Sequence, residues 1–468
     1  MRKLAWSSFV LGAVAIFGGA QCGSDERAGS TGGEGGEGGA ASGQENGGAS
    51  GASSPGGSGY DAGSTGEGGA GAAASGGSAG NGPDPFADAP EAEWEGFGTF
   101  GTCEVDRLVE PEQHTLFYWE PCAGIEGCEI AVMNTKLLEL SGLVDYPLPN
   151  SSVIGDGGAF FGLVFQGIES YAMFAEGDGH VIDGFQSTQV FGEDNCSSFG
   201  GAPTSATRYG FSISRFEEGD PFVPTGGALF DRETRQQTAV LQIDPSVPGA
   251  ASNRILGTER MAFTYGLPTR QASVSVTDGG DFHLFATSTG VITDMSEMIT
   301  TGPQFLFAAS TTETPSRYIM ASDGIEAPVP YIREEDGSYT GEPGYAHSRI
   351  VWQKGINPES ANRFERVEVW ASAYDPNPEN LEPYKVADSD LTGMSTNTFA
   401  GWDHYASSRP NPDTGDRGVR IWNVLTGTHR DYFVPDSFRR MRRLIGMTPE
   451  HLYVTADHMQ GLLRFEVE

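Results

Sequence analysis

The sequence contains eight histidines, whose imidazole groups serve both acid–base catalysis and metal binding near neutral pH. Compact metal motifs place two histidines a few residues apart, as in His-Glu-x-x-His on a helix. No such motif occurs here, and the nearest two, His451 and His458, are seven residues apart. We therefore interpret the histidines as strand or surface residues and predict no metal site and no cofactor. They are His114, His180, His283, His347, His404, His429, His451 and His458.

Carboxylates are abundant, with 63 aspartates and glutamates, and a suitably placed pair could hydrolyse a glycosidic bond. Such a pair must lie about 5–9.5 Å apart. Asp156, Asp323 and Asp403 are candidates, but their sequence surroundings are equally typical of turns. Residues 95–468 contain neither the Gly-x-Ser-x-Gly elbow of α/β-hydrolases nor a phosphate-binding Gly-x-x-x-x-Gly-Lys loop. The sequence therefore assigns no catalytic residue and leaves enzymatic activity open.

Asp413, Gly415 and Asp416 lie in a polar segment, Asn411-Pro-Asp-Thr-Gly-Asp, that could offer oxygen atoms to calcium. The regular spacing of a calcium loop and its closing glutamate are missing. A turn stabilised by aspartate or asparagine side chains explains the same residues. We therefore expect a turn here rather than a metal site.

Residues 1–21 have the three-part plan of a secretory signal peptide. Arg2 and Lys3 are followed by an apolar stretch to Ala20, with small residues just ahead of Cys22. The apolar stretch is close to the lower limit of about 20 residues for a membrane-spanning helix, and glycines dilute it. A cleaved export signal is therefore favoured over a permanent transmembrane helix.

The segment Gly19-Ala20-Gln21-Cys22 resembles the lipobox of bacterial lipoproteins, in which the cysteine takes a diacylglycerol and becomes the new N-terminus. Gly19 and Gln21 depart from the residues preferred in that family. The resemblance implies that Cys22 is the lipid attachment site and that its acyl chains anchor the protein to a membrane. Because no aspartate follows Cys22, it also implies sorting to the outer membrane in a cell that has one. A plain signal peptide with an incidental cysteine is the alternative.

The other four cysteines are predicted to form disulfides, because an even number in an exported chain is typical of them. Three pairings are possible. We favour Cys122 with Cys128, since the five residues between them form a flexible turn, and Cys103 with Cys196 follows by elimination. The CxxC spacing of a zinc site is absent.

Residues 22–94 are predicted to be a disordered linker. Glycine, alanine and serine dominate the segment, and between Gly23 and Pro83 the only aromatic residue is Tyr60. Such a sequence cannot bury enough apolar surface to offset the entropy of ordering it. A Gly-rich coil of about 60 residues spans about 40–50 Å on average. The linker would hold residues 95–468 away from the membrane.

The formal net charge is −35 and the isoelectric point is about 4.4. Nucleic-acid binders depend on lysine and arginine to neutralise phosphates, so this composition argues against a nucleic-acid partner. The basic run Arg439-Arg440-Met441-Arg442-Arg443 is interpreted as a solvated turn or strand edge.

From residue 97 onward, helical periodicity is nearly absent, and short apolar or alternating runs are separated by Gly, Asp, Asn and Pro. This pattern is typical of an all-β domain. Two units of similar strand order begin near Ile350 and Phe399, about 49 residues apart. A period of about 40–50 residues with four short strands is typical of a β-propeller blade. Residues 95–468 therefore predict a β-propeller of seven blades, with six or eight possible and a pair of β-sandwiches as the alternative.

The segment Gly418-Val-Arg-Ile-Trp-Asn-Val-Leu-Thr-Gly427 resembles the third strand and following turn of a WD-repeat blade. The resemblance covers one blade and lacks the Gly-His element of that family. It implies that Trp422 lies in a blade core and that Thr426-Gly427 turn toward the outer strand. More broadly, the domain resembles propellers of exported bacterial proteins such as the TolB-like group.

A fold of this kind does not settle function. The linker, the acidic surface and the lack of a catalytic motif favour a binding or scaffold module, with a protein or glycan partner on one propeller face. One alternative is an exported polysaccharide hydrolase or lyase with carboxylates around the central channel. The other is a purely structural lipoprotein of the cell envelope.

Overall fold

The computed structural model describes residues 84–468, except 101–102, 139–147, 156–157, 167–168, 189–195, 218–219, 243–250, 258, 266–269, 281, 288–291, 297, 312–316, 335–337, 347, 361–362, 391–397, 411–416, 434–440, 457–461 and 468. The chain divides into two units, Met1–Ser54 and Pro55–Glu468, and every described residue belongs to the second. The predicted signal peptide, Cys22 and most of the predicted linker lie outside the described residues.

The described residues form β-strands and two 3-10 turns, Pro111–Gln113 and Pro378–Asn380, with no α-helix among them. The first strands are β1 (Trp94–Phe100), β2 (Cys103–Leu108), β3 (Phe117–Pro121), β4 (Cys128–Met133), β5 (Leu148–Gly155), β6 (Gly158–Gln166), β7 (Glu169–Glu176), β8 (Val181–Thr188), β9 (Cys196–Gly201), β10 (Arg208–Glu217), β11 (Asp220–Asp231) and β12 (Gln237–Gln242). The middle strands are β13 (Ala251–Leu256), β14 (Arg260–Tyr265), β15 (Arg270–Ser275), β16 (His283–Thr287), β17 (Ile292–Met295), β18 (Ile299–Thr300), β19 (Phe305–Thr311), β20 (Arg317–Ser322) and β21 (Val329–Ile332). The last strands are β22 (Tyr339–Thr340), β23 (Gly344–Ala346), β24 (Arg349–Ser360), β25 (Arg363–Ala373), β26 (Tyr384–Asp388), β27 (Thr398–Gly401), β28 (His404–Pro410), β29 (Arg417–Asn423), β30 (His429–Phe433), β31 (Met441–Met447), β32 (His451–Ala456) and β33 (Leu462–Glu466).

These strands form seven antiparallel sheets, which are the blades of a seven-bladed β-propeller. Blade 1 has the order β5-β6-β7-β8-β2-β1, and blades 2, 3 and 6 are β9–β12, β13–β16 and β27–β30. Blade 4 is built from β17–β21 and blade 5 from β22–β26. The prediction of an all-β propeller with seven blades is confirmed, and the alternatives of six or eight blades and of a sandwich pair are wrong.

Blade 7 closes the ring by combining the two ends of the domain. Its order is β31-β32-β33-β4-β3, so three strands near the C-terminus pair with two strands near the start of the domain. The junction is the antiparallel pairing of β33 with β4, in which Arg464 stands opposite Glu129. Strand β31 in turn contacts β5, the first strand of blade 1. The pairing of β33 with β4 therefore joins the two ends of the domain within blade 7 by backbone hydrogen bonds.

The core lies between neighbouring blades, because side chains alternate between the two faces of each strand. Along β6, Phe160 packs toward blade 2, whereas Phe161 packs toward Tyr453 of blade 7. A strand buried on both faces reads as a continuous apolar run, which explains the sequence Ala159–Phe165. Packed contacts also begin ahead of residue 95, since Phe86 is buried and its ring lies 5.4 Å from that of Tyr118.

Trp422 lies fully buried in blade 6, where it packs 5.8 Å from Tyr405. The turn after it leads through Gly427, whose φ of +71° favours glycine, into the outer strand β30. Both features are as the blade-like segment predicted. Within the described part of the chain, no helix has the length and apolar character needed to cross a bilayer.

Candidate functional site

Asp323 is a turn residue in the structure. Its Oδ1 accepts hydrogen bonds from the backbone N–H groups of Ile325 (2.8 Å) and Glu326 (2.9 Å). Burial raises the pKa of Asp323, but these backbone donors outweigh it, so the pKa lies below its ordinary value. The carboxylate therefore stays ionised and serves the turn between β20 and β21.

Asp403 joins two blades. Its Oδ1 lies 2.6 Å from Nη1 of Arg349, at the start of β24 in blade 5, and its backbone carbonyl accepts a hydrogen bond from Val424. The third carboxylate candidate, Asp156, and the calcium candidates Asp413, Gly415 and Asp416 lie outside the described residues. Asp323 and Asp403 thus occupy different blades, and each has a structural partner.

The described histidines are spread over the propeller. His114 is buried, and burial lowers its pKa. Burial, together with the charge of Arg464, also lowers the pKa of His451. His180 and His429 are exposed, and His283 and His404 are partly buried, whereas His347 and His458 fall outside the described residues. Among the residues that the structure describes, no three His, Cys, Asp or Glu side chains are grouped to hold a metal.

Cys122 and Cys128 form a disulfide, with their Cα atoms 5.3 Å apart. The bond closes the hairpin between β3 and β4. Cys103 is also disulfide-bonded and fully buried in blade 1. Cys196, its predicted partner, begins β9, and its side chain lies outside those described; that pairing stays a prediction.

A groove of about 480 Å³ lies between blades 3 and 4, and sequence reasoning did not identify it. One wall is β16, the outermost strand of blade 3. The other wall is the start of β21, the outermost strand of blade 4, with the residues before it. The floor is apolar, with Phe285 and Met320 from the two blades. We name this feature the rim groove.

The register of β16 turns an apolar side chain outward. Gln271 pairs with Ala286 and Ala272 pairs with Leu284, which leaves Phe285 as an extra residue in a β-bulge. Phe285 is buried, whereas 50% of Leu284 is exposed. The run Phe282-His-Leu-Phe-Ala reads in the sequence as an ordinary buried strand. A bulge is not visible in such a pattern, which is why Leu284 was missed.

The facing wall carries two prolines, Pro328 and Pro330, on either side of Val329, which is 55% exposed. Pro330 pairs with Met320 of β20. Proline has no backbone N–H, and in sheets it is confined to edge strands and bulges. This wall is therefore a poor donor of backbone hydrogen bonds.

The floor belongs to the core cluster between blades 3 and 4. Tyr318 and Met320 pack in that cluster with Met295 and Met298. Methionine side chains are flexible and adapt to differently shaped neighbours. The floor can therefore accept apolar side chains of more than one shape.

One arginine, Arg333, lines the rim groove. Arg333 directly follows β21, is exposed, and its guanidinium lies 5.7 Å from the centre of the Tyr318 ring. The next residue, Glu334, is held by Lys354 of blade 5 at 2.6 Å. Arg333 itself forms no ion pair with a described carboxylate. It leaves a positive charge beside an apolar surface in an otherwise acidic chain.

Exposed apolar side chains recur on the outermost strands of four consecutive blades. They are Val240 on β12, Leu284 on β16, Val329 on β21 and Tyr384 on β26. The rim of blades 2–5 therefore presents apolar contacts at intervals, and one of them, Leu284, lines the rim groove. Exposed apolar surface that lines a concave site is typical of ligand or partner binding.

The sequence matches no protein-family model and no curated protein. Solved structures with a similar fold include the β-propeller domain of the trilobed protease from Pyrococcus furiosus. It is 9% identical, with 70% of this chain and 95% of that chain covered and a TM-score of 0.42. An ancestral GH74 enzyme is 10% identical, with 75% and 51% covered and a TM-score of 0.43.

A prolyl endopeptidase structure is 11% identical, with 73% of this chain and 50% of that chain covered and a TM-score of 0.41. This chain thus spans about half the length of the endopeptidase and of the GH74 enzyme. The strand pairing of this chain itself defines the propeller.

Proposed function

We propose that this chain is an exported lipoprotein whose seven-bladed propeller is a binding or scaffold module for protein or glycan partners. The rim groove is the observation that carries the binding part of the proposal. It combines exposed Leu284 with an apolar floor and one arginine, Arg333. By contrast, the two carboxylate candidates in the described residues have structural partners: Asp323 stabilises a turn, and Asp403 forms an ion pair with Arg349.

A propeller suits a binding role because its blades hold a rigid surface. The blade cores are filled by large buried aromatic side chains such as Phe161, Trp352 and Trp422. A rigid site loses little entropy when a partner binds, so more of the contact energy appears as affinity. The groove walls are strands of two such blades rather than long loops.

The membrane part of the proposal is supported by the sequence of residues 1–94. The lipobox-like segment ending at Cys22 would supply the anchor, and the Gly-rich linker would supply the distance from the membrane. The proposed location is the outer membrane of the cell envelope. The net charge of −35 would keep the propeller away from anionic lipid headgroups.

A binding screen tests the proposal. The full-length chain, kept in detergent, is applied to an array of glycans and of envelope proteins, beside a Leu284→Glu variant and a Leu425→Glu control. Leu425 is 56% exposed on blade 6, so its replacement matches the change in charge and exposure away from the groove. We expect a specific ligand that the control retains and the Leu284→Glu variant loses. Absence of any specific ligand would contradict the binding proposal.

A further inference from the structure

The rim groove has one wall that can pair with another backbone. Strand β16 is outermost in blade 3, and the structure shows it paired with β15 on one side. An edge strand of this kind presents a row of backbone N–H and C=O groups to an incoming chain. The opposite wall is blocked at Pro330, which has no N–H to donate. A guest chain would therefore pair with β16 and contact β21 through side chains.

A guest strand on β16 places every second side chain toward the apolar floor. The floor side chains Phe285 and Met320 are buried and come from the two blades that the groove separates. Apolar side chains of the guest would cover them together with Leu284. Main-chain pairing supplies affinity and fixes the direction of the guest, while these side-chain contacts supply specificity.

The charge of Arg333, which lines the groove, distinguishes among apolar guest chains. Arg333 is exposed, lies over Tyr318 and has no ion pair with a described carboxylate. The nearest acidic neighbour in sequence, Glu334, is already bound to Lys354. A guanidinium in this setting favours a carboxylate, because hydrogen bonds between two charged groups are the strong ones.

From these three features we propose that the rim groove binds an extended peptide segment of a partner protein. The segment adds a strand to the edge of β16, covers the floor with apolar side chains and places a carboxylate at Arg333. The inference rests on the proposed binding function and names the class of partner. It requires no change in the propeller, because the groove is open in the structure.

The test uses a fluorescein-labelled peptide with an amidated C-terminus, Thr-Val-Thr-Val-Asp, and the full-length chain in detergent, with binding followed by fluorescence anisotropy. Two control peptides isolate the contacts: one carries Asn in place of Asp, and one carries N-methyl groups on alternate amides, which removes strand pairing. We expect saturable binding of the first peptide. The Asn peptide should bind about tenfold more weakly, as expected for loss of one charged hydrogen bond. The N-methylated peptide should not bind.

Three variants connect the binding to the groove. Arg333→Glu should weaken binding of the Asp peptide about tenfold or more, and Arg333→Lys should keep most of the wild-type affinity. Leu284→Glu should abolish binding. Arg363→Glu, a charge reversal on blade 5 whose native side chain is 69% exposed, is the matched control and should leave binding unchanged. The circular dichroism spectra of all variants should coincide, because the replaced side chains are exposed.

The outcomes separate this inference from the proposed function. If the array yields a specific ligand but the peptide does not bind, or binds equally to Arg333→Glu and Leu284→Glu, the chain is a binding module and the peptide groove is wrong. If a glycan or a second copy of this chain is the only ligand that depends on Leu284, the inference is also wrong. If neither array nor peptide gives binding, both proposals fail.

Discussion

Arg107 and Asp183 form a bidentate ion pair between the neighbouring strands β2 and β8, with Nε 3.0 Å from Oδ1 and Nη2 2.6 Å from Oδ2. Asp183 is fully buried, and it also accepts a hydrogen bond from the hydroxyl of Tyr209 in blade 2 at 2.6 Å. The guanidinium packs between the rings of Phe97, Phe185 and Phe230. The pair therefore ties β2 to β8 within blade 1, and Tyr209 extends the link to blade 2.

We predict that Arg107→Ala lowers the free energy of unfolding by about 3–5 kcal/mol, because it leaves the Asp183 carboxylate buried without its cation. Urea denaturation followed by tryptophan fluorescence measures the change. Arg363→Ala is the control, since Arg363 and its partner Glu359 are mostly exposed, and it should change the stability little. Equal losses in the two variants would show that burial of the pair does not matter.

The second prediction concerns acid stability. Burial raises the pKa of Glu368, but hydrogen bonds from Lys385 (2.9 Å), Trp370 (2.8 Å) and Arg366 (2.9 Å) outweigh it and lower the pKa to about 2. Since the folded pKa lies below the ordinary value of 4.5, the contribution to stability is present above about pH 4.5. It is lost as the pH falls toward about 2.

Glu368→Gln removes that titration. At pH 7 we expect the variant to be less stable by about 2 kcal/mol, and between about pH 4.5 and 2 its stability should fall less steeply than that of the wild type. Unfolding free energies across this pH range measure the difference. Parallel curves for the two proteins would contradict the assignment of this carboxylate, and Glu365→Gln on the exposed side of β25 is the control.

The third prediction concerns the ring closure at blade 7. The disulfide between Cys122 and Cys128 braces the hairpin of β3 and β4, and β4 pairs with β33. Across this junction, Arg464 forms an ion pair with Glu129. The Arg464 guanidinium also lies 4.4 Å from the centre of the Trp119 ring. The disulfide spans a sequence separation of six residues, so its loss should cost about 2 kcal/mol. The double variant Cys122→Ala and Cys128→Ala should therefore unfold at lower denaturant concentration in non-reducing buffer.

A matched measurement separates this effect from general damage. Adding a reductant should destabilise the wild type more than the double variant, which keeps the disulfide at Cys103. A similar response of both proteins would point instead to the other disulfide, at Cys103.

The repeat pattern of the sequence was enough to predict the propeller and its seven blades, because each blade has its own strands and turns nearby in the chain. The burial of Trp422 could be predicted from the sequence for the same reason. The closure of blade 7 could not be predicted, since the partners Glu129 and Arg464 are 335 residues apart. Local patterns carry no information about which distant edges will pair.

The rim groove also could not be predicted from the sequence. The groove depends on the bulge at Phe285 and on two blades lying side by side. Neither feature changes the pattern of apolar and polar residues along the strands. The arginine that gives the groove its charge, Arg333, follows an ordinary strand. Only the prolines at 328 and 330, which are typical of an edge strand, offered a local signal.

The last prediction concerns the proposed anchor. If Cys22 carries the acyl chains, Cys22→Ser should leave the protein unprocessed or release it into the soluble fraction, because two or three acyl chains are needed for stable anchoring. The propeller of the variant should unfold at the same urea concentration as the wild type, since residues 84–468 do not include position 22. Ser24→Ala, which changes a linker residue two positions away, is the control and should stay with the membrane. Membrane fractionation after carbonate washing and the mass of the mature protein provide the readout. A Cys22→Ser variant that is processed normally and remains with the membrane would show that another segment holds the protein there.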